Sequence, residues 1–176
     1  MRRQILFVDG YNMIGSWEHL VRLKRLDFME EAREVLISQL SDYSKYRHIN
    51  IILVFDAHQV SGMEQVYKQN NITIVFTNEN ETADMYIERE IKHYRNSVTH
   101  ISVASSDAIE QWIIFQQGAI RLSADELWLN MKHAKKDIHK DIRAYHNDAP
   151  KRYHWPEDQL AKLQRLQQTF DDKHAH

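Results

Sequence analysis

The chain has 176 residues, 43% of them hydrophobic, with four glycines, two prolines and no cysteine. That composition fits one globular domain and excludes collagen-like, linker-rich and disulfide-stapled classes, as well as thiolate metal sites and cysteine nucleophiles. No apolar run approaches the roughly 18 residues of a membrane span, and Met1-Arg2-Arg3-Gln4 enters a strand pattern too soon for a secretory leader, so a cytoplasmic protein is expected. The net charge of −2 is uneven: residues 1–126 carry 13 Lys+Arg against 18 Asp+Glu, and residues 127–176 carry 10 against 7. An acidic body beside a basic end suits an enzyme that holds cations and a polyanion together.

In chain order, the first apolar run is Ile5-Leu6-Phe7-Val8. A loop of about 16 residues follows, and then a helix over about 28–43, opened by a capping box Asp27-x-x-Glu30, with Phe28, Ala32, Val35, Leu36 and Leu40 on one face. Further runs are Ile51-Ile52-Leu53-Val54-Phe55, Ile72-Thr73-Ile74-Val75-Phe76 and Ile101-Ser102-Val103-Ala104. All four are rich in β-branched residues without strict alternation, the pattern of strands buried on both faces in a parallel sheet. Helices over about 80–95 and 107–117 follow the third and fourth runs, and a fifth, short strand fits 119–122.

A second capping box, Ser123-x-x-Glu126, opens a long helix whose apolar stripe is Leu127, Met131, Ala134, Ile138, Ile142 and Tyr145. Asp148-Ala149-Pro150 breaks it, and a last helix spans about 156–170. The alternation predicts an α/β, three-layer fold with a mostly parallel sheet of 4–5 strands, right-handed crossovers and flanking helices. Two parts are expected: a domain over 1–147 and a C-terminal helical appendage over 148–176 packed on it.

Three of the four runs lead into an aspartate: Val8 into Asp9, Phe55 into Asp56, and Ala104-Ser105-Ser106 into Asp107. The third run supplies its acids at the start of the next helix, in Glu81-Thr82-Ala83-Asp84. A parallel sheet gathers the carboxyl ends of its strands along one edge, where ligands bind in open α/β folds. Two carboxylates about 4 Å apart repel by roughly 4 kcal/mol at an effective dielectric near 20, so such a cluster calls for a cation. Oxygen donors without thiolates select hard ions, Mg²⁺ or Mn²⁺, held through Asp9, Asp56, Asp84 and Asp107. A site of that kind hydrolyses phosphodiesters by in-line attack of water, leaving 5′-phosphate and 3′-hydroxyl ends. A purely structural account, in which acids favour helix N-termini, covers Asp84 or Asp107 singly and Asp9 less well.

Taken together, Asp9-Gly10-Tyr11-Asn12-Met13-Ile14-Gly15, Val54-Phe55-Asp56-Ala57-His58, Glu81-Thr82-Ala83-Asp84 and Ser105-Ser106-Asp107 make the chain closely resemble the YacP-like NYN-domain proteins of the PIN-like nucleases, in order from about residue 4 to 145. The resemblance implies a PIN-like (NYN) sheet and Mg²⁺- or Mn²⁺-dependent endoribonuclease activity. It implies that Asp9, Asp84 and Asp107 are metal-binding catalytic acids and that Asn12 is an amide orienting metal-bound water or phosphate. Glu81, Ser105 and Ser106 are expected to support those ligands from behind. It further implies action on mRNA at the ribosome; no organic cofactor and a monomeric enzyme are expected.

Arg22, Lys24 and Arg25, with Trp17, lie in the predicted loop beside the active edge, where they could hold phosphates and stack a base; Trp17 serves equally well as a packing plug. Lys132, Lys135, Lys136, Lys140 and Arg143 on the polar face of the long helix read as a phosphate-binding surface for RNA or ribosome, against the alternative of a merely solvated helix face. Among eleven histidines no HExxH pattern occurs, and only His58 is near a predicted acid. A haloacid-dehalogenase-type phosphatase needs an acid two residues after the first aspartate, where this chain has Tyr11, and a Rossmann dinucleotide site needs GxGxxG. The remaining alternatives are a structure-specific DNA nuclease and a non-catalytic RNA- or ribosome-binding module with a relic metal site.

Overall fold

The computed structural model describes residues 3–56, 65–94, 99–106 and 118–148, with 139–148 as backbone only. Two units divide the chain, 1–139 and 140–176; of the second, only the backbone to residue 148 is described. The predicted helices over 107–117 and 156–170, together with His58 and Asp107, lie outside the described residues.

The described elements are β1 (Arg3–Asp9), α1 (Gly10–Ser16), α2 (Glu18–Arg25), α3 (Met29–Arg47), β2 (Asn50–Phe55), β3 (Gln65–Gln69), β4 (Ile72–Phe76), α4 (Ala83–Tyr94), β5 (Thr99–Ala104), β6 (Ile120–Leu122) and α5 (Ala124–Asp148). Six strands form one sheet in the order β3-β4-β2-β1-β5-β6. All neighbours pair in parallel except β3 and β4, which are antiparallel. The strand order therefore reverses at β1: β2 and β4 extend to one side, β5 and β6 to the other.

Both sheet faces are buried, which explains the near-continuous apolar runs. On one face Leu6, Val8, Ile51, Leu53, Phe55, Ile72 and Ile74 pack with Met13 and Ile14 of α1, Leu36 and Leu40 of α3 and Leu127 of α5. On the other Ile5, Phe7, Ile52, Val54, Val75, Ile101 and Val103 pack with Tyr86, Ile87 and Ile91 of α4. Alternate residues of one strand thus serve two helical layers. The three-layer, mostly parallel α/β architecture expected from the sequence is the observed one.

Several local expectations are corrected. Among the described residues the sheet has six strands rather than four or five, because Gln65-Val66-Tyr67-Lys68-Gln69 forms an edge strand whose residues are almost all exposed. Asn70 (φ 48°) and Asn71 (φ 76°) join it to β4, both in the left-handed conformation that a two-residue hairpin turn needs. The loop expected after β1 is instead α1 and α2. The first-turn box at Asp27 is absent: Asp27 has φ 64°, and Phe28 caps α3 without a side-chain hydrogen bond. The box at α5 is present, with Ser123 N–H donating to Glu126 Oε2 at 2.7 Å and Glu126 N–H to Ser123 Oγ at 3.1 Å.

Candidate active site

Asp9 is the last residue of β1 and the N-cap of α1, where its Oδ1 accepts the Asn12 N–H at 3.0 Å. Such a cap satisfies one of the unpaired donors of the first helical turn. Gly10 follows because a Cβ there would lie 2.3 Å from the buried Phe55 ring, so α1 can start hard against β2 only with glycine. Asp56 comes directly after Phe55, at the neighbouring strand end. Asp84 is in the first turn of α4, whose Thr82 Oγ1 accepts the Met85 N–H at 3.3 Å.

Asp9, Asp56 and Asp84 line one cleft of about 350 Å³ with Tyr11, Asn12, Thr82 and Ala83, at the carboxyl ends of β1 and β2, beside the point where the strand order reverses. Asp9 is buried and Asp84 exposed. Burial pushes the Asp9 carboxyl up to about 6, and the charges of Asp84 and Asp56 push the same way; hydrogen bonds from the Asn12 and Tyr11 backbone pull it back. Two neighbouring carboxylates thus oppose the ionisation of Asp9.

Among the described residues, no group of three or more His, Cys, Asp or Glu side chains could hold a metal ion. The donor chemistry nevertheless fits a hard cation: the cleft offers carboxylate, amide and hydroxyl oxygens, and a buried acid whose ionisation is opposed. Asp107, the fourth predicted acid, lies outside the described residues; Ser105 and Ser106 carry the chain to it from β5.

The Asn12 side chain reaches across to those serines. Its Oδ1 accepts the Ser106 N–H at 3.0 Å, and its Nδ2 donates to the Ser105 hydroxyl at 3.4 Å. Ser16 extends the clasp, donating to Asn12 O at 2.8 Å and sharing a 2.9 Å hydrogen bond with the Ser106 hydroxyl. The amide thus ties α1 to the end of β5. Glu81, expected to support the ligands, pairs through Oε1 with Arg89, which lies over the Tyr86 ring at 4.9 Å.

Trp17 is a plug: it is buried, donates Nε1–H to Ala124 O at 3.0 Å and packs 5.0 Å from Trp128. Arg22, Lys24 and Arg25 are exposed in the last turn of α2, where cations complement the helix dipole, and Arg22 pairs with Glu18. Lys132, Lys135 and Lys136 are exposed on α5; the side chains of Lys140 and Arg143 lie outside the described residues. A larger groove of about 600 Å³ between α3 and α5 includes Lys132 and Lys135 but also Asp42, and Tyr43, Trp128 and Met131 make it chiefly aromatic and apolar. Tyr11 and Thr82 also line the acidic cleft; the sequence shows them only as members of the Asp9–Gly15 and Glu81–Asp84 motifs, with no role of their own.

A mostly parallel sheet with acids gathered where its strand order reverses defines a PIN-like α/β domain. The sequence pattern of the YacP-like NYN domain matches residues 6–168, more than half of the chain, so the protein belongs to that family. The match runs beyond residue 145, the expected end of the resemblance, into the C-terminal segment. The protein named "Uncharacterized protein YacP" from Bacillus subtilis (strain 168) is 45% identical over 146 residues, covering 83% of this chain and 85% of that one. Among solved structures, Rae1 (YacP) from Bacillus subtilis is similar with a TM-score of 0.69 and 41% identity, covering 95% of this chain and 92% of that chain. A mutant of the same Bacillus subtilis protein, with one tryptophan replaced by leucine, gives a TM-score of 0.72 at 41% identity, covering 84% and 86%. The family suggests a nuclease-type function, and among the described residues no helix is long and apolar enough to cross a membrane.

Proposed function

We propose that this protein is a divalent-metal-dependent endoribonuclease of the cytoplasm, a monomer that hydrolyses mRNA to 5′-phosphate and 3′-hydroxyl ends, with the translating ribosome as its place of action. The observation that carries the reading is the buried Asp9 sharing one cleft with Asp84 and Asp56, its ionisation opposed by burial and by both neighbours. Asp9, Asp84 and Asp107, with Asp56, would hold Mg²⁺ or Mn²⁺. Bound there, such an ion supplies activation of water and neutralisation of charge developing at phosphorus.

The chain's own residues fix the arrangement. The N-cap bond from Asn12 holds the Asp9 carboxylate at the start of α1, facing the cleft it shares with Asp56 and Asp84. The Asn12 amide sets the distance between α1 and the Ser105-Ser106 segment that leads to Asp107. Glu81, gripped by Arg89, secures the turn before α4 and so the position of Asp84. The exposed lysines of α5 supply a phosphate-binding face for RNA or ribosome, and the segment beyond residue 147 is an appendage to the nuclease domain.

The test incubates purified protein with a translated and an untranslated mRNA, in Mn²⁺ or in EDTA, and maps both new ends. Cleavage in Mn²⁺ alone, with 5′-phosphates and greater on the translated message, is the expected result. Cyclic 2′,3′-phosphate products would refute direct hydrolysis. The second reading is a non-catalytic RNA- or ribosome-binding module. Wild-type protein that binds ribosomes but cuts nothing in any divalent metal would decide for it.

A further inference from the structure

A row of aromatic rings leaves the acidic cleft towards the edge of the sheet. Tyr11, in the cleft wall, meets Phe55 edge-to-face at 5.1 Å. Phe55 stacks on Phe76 at 5.3 Å and 22°, and Phe76 on Tyr67 at 6.3 Å and 15°. Phe55 is fully buried and Phe76 partly so, whereas Tyr67 on edge strand β3 is 41% exposed. Burial in the core accounts for the inner rings. It does not account for Tyr67, since an edge strand facing solvent usually carries charge or proline instead.

Arg33 of α3 stands between the two ends of the row. Its Nη1 donates to the Tyr11 hydroxyl at 3.2 Å; burial and the Glu34 charge push the Tyr67 hydroxyl up, and the Arg33 charge pulls it back. Among the described residues the half-buried guanidinium forms no ion pair with a carboxylate. A cation held by a neutral hydroxyl keeps its charge available. Its planar donor fork suits a phosphate better than a lysine would.

Resting on the ribonuclease reading, we propose that Tyr67 and Arg33, continuous with Tyr11, form a subsite for a single-stranded nucleotide flanking the scissile phosphate: the base stacks on Tyr67, and the Arg33 guanidinium takes the adjoining backbone phosphate. The row extends from the cleft by a few ring widths, the reach of a short stretch of unpaired RNA. A duplex cannot offer its base faces to a ring, so the subsite selects single strands. Because every base has a stacking face, it adds grip without strict sequence preference.

The experiment measures binding of unstructured oligoribonucleotides of three to eight nucleotides, carrying 2-aminopurine at successive positions, to full-length wild type, Tyr67→Phe, Tyr67→Leu and Arg33→Gln in Ca²⁺ buffer. Leucine keeps apolar cover on β3, and thermal melts verify that each variant is folded. Wild type and Tyr67→Phe should quench the probe at one position and gain affinity once the oligomer is long enough to reach it. Tyr67→Leu should lose that quench and weaken binding to the longer oligomers by roughly 5- to 100-fold, the range for one stacked base, with an unchanged salt slope. Arg33→Gln should weaken binding and flatten the salt slope by about one phosphate. Wild type that binds and cuts RNA while Tyr67→Leu matches it at every length overturns the subsite and leaves the nuclease reading standing. Wild type that neither binds nor cuts any RNA overturns both.

Discussion

Replacing Asp9 by asparagine separates what this residue does for the fold from what its charge does in the cleft. Asparagine caps helices as well as aspartate does, so the 3.0 Å bond from Asn12 N–H survives in kind. The change removes the ionisation. Burial raises the Asp9 carboxyl from 3.8 to about 6, so the fold favours its protonated form; that contribution is complete below 3.8 and is lost as pH rises through about 6. At about 1.4 kcal/mol per unit, ionised wild type at pH 7.5 forgoes about 3 kcal/mol that the variant keeps. For a chain of this size that corresponds to a melting temperature higher by about 6–12 °C in EDTA. At pH 4 the difference should shrink to well under a quarter of that. Added Mn²⁺ should stabilise wild type and narrow the gap at pH 7.5, because a bound cation offsets the penalty. The measurement is a set of melts of both proteins at the two pH values, with EDTA and with Mn²⁺. A variant less stable at both pH values would refute the reasoning and make Asp9 a hydrogen-bond acceptor of the fold alone.

Asp84→Asn removes one of the charges that oppose Asp9, so the Asp9 midpoint should fall below about 6 in an NMR titration, and RNA cleavage should drop by orders of magnitude. An unchanged midpoint would show the two carboxylates to be independent. Gly10→Ala drives a methyl into the Phe55 ring and should cost about 1–3 kcal/mol in urea unfolding, partly restored by Phe55→Leu. A neutral result would mean that α1 can shift at its first turn. Reversing Lys135, Lys136 and Lys140 to glutamate should weaken RNA or ribosome association and flatten its salt dependence; identical binding across a salt series would make that helix face merely solvated.

The sequence was most informative where physics leaves a one-dimensional trace. The four apolar runs fall within β1, β2, β4 and β5 because these strands are covered on both faces and need nearly continuous hydrophobicity. β3 left no such trace: its residues face solvent, and only the Asn70-Asn71 turn hints at the hairpin. α1 contains Gly10, Asn12 and Gly15, all poor helix formers, and forms because Asp9 caps it and Met13 and Ile14 bury against the sheet. Two equally plausible capping boxes had opposite fates. Ser123 and Glu126 close both bonds of the box, whereas Asp27 is turned to φ 64°, a conformation from which it does not act as the N-cap.

The acids at the ends of β1 and β2 and the start of α4 were legible for the same reason as the strands, since parallel topology alone carries them to one edge. What sequence could not assign is the work of the residues between them. Asn12 stands three positions from Asp9, yet its side-chain partners are Ser105 and Ser106, 93 and 94 positions away, and only the fold brings them within reach. Asp9-Gly10-Tyr11-Asn12 then reads as a bracket across the reversal of strand order. The aspartate begins the helix, the glycine lets it pass Phe55, the tyrosine faces the cleft with Arg33 behind it, and the asparagine fastens the far strand. One short helix thereby fixes the end of β1 against the end of β5. Errors in its placement would move the end of β1 and the Ser105-Ser106 segment together, so the alignment of these two strand ends rests in part on seven residues with little helical propensity of their own.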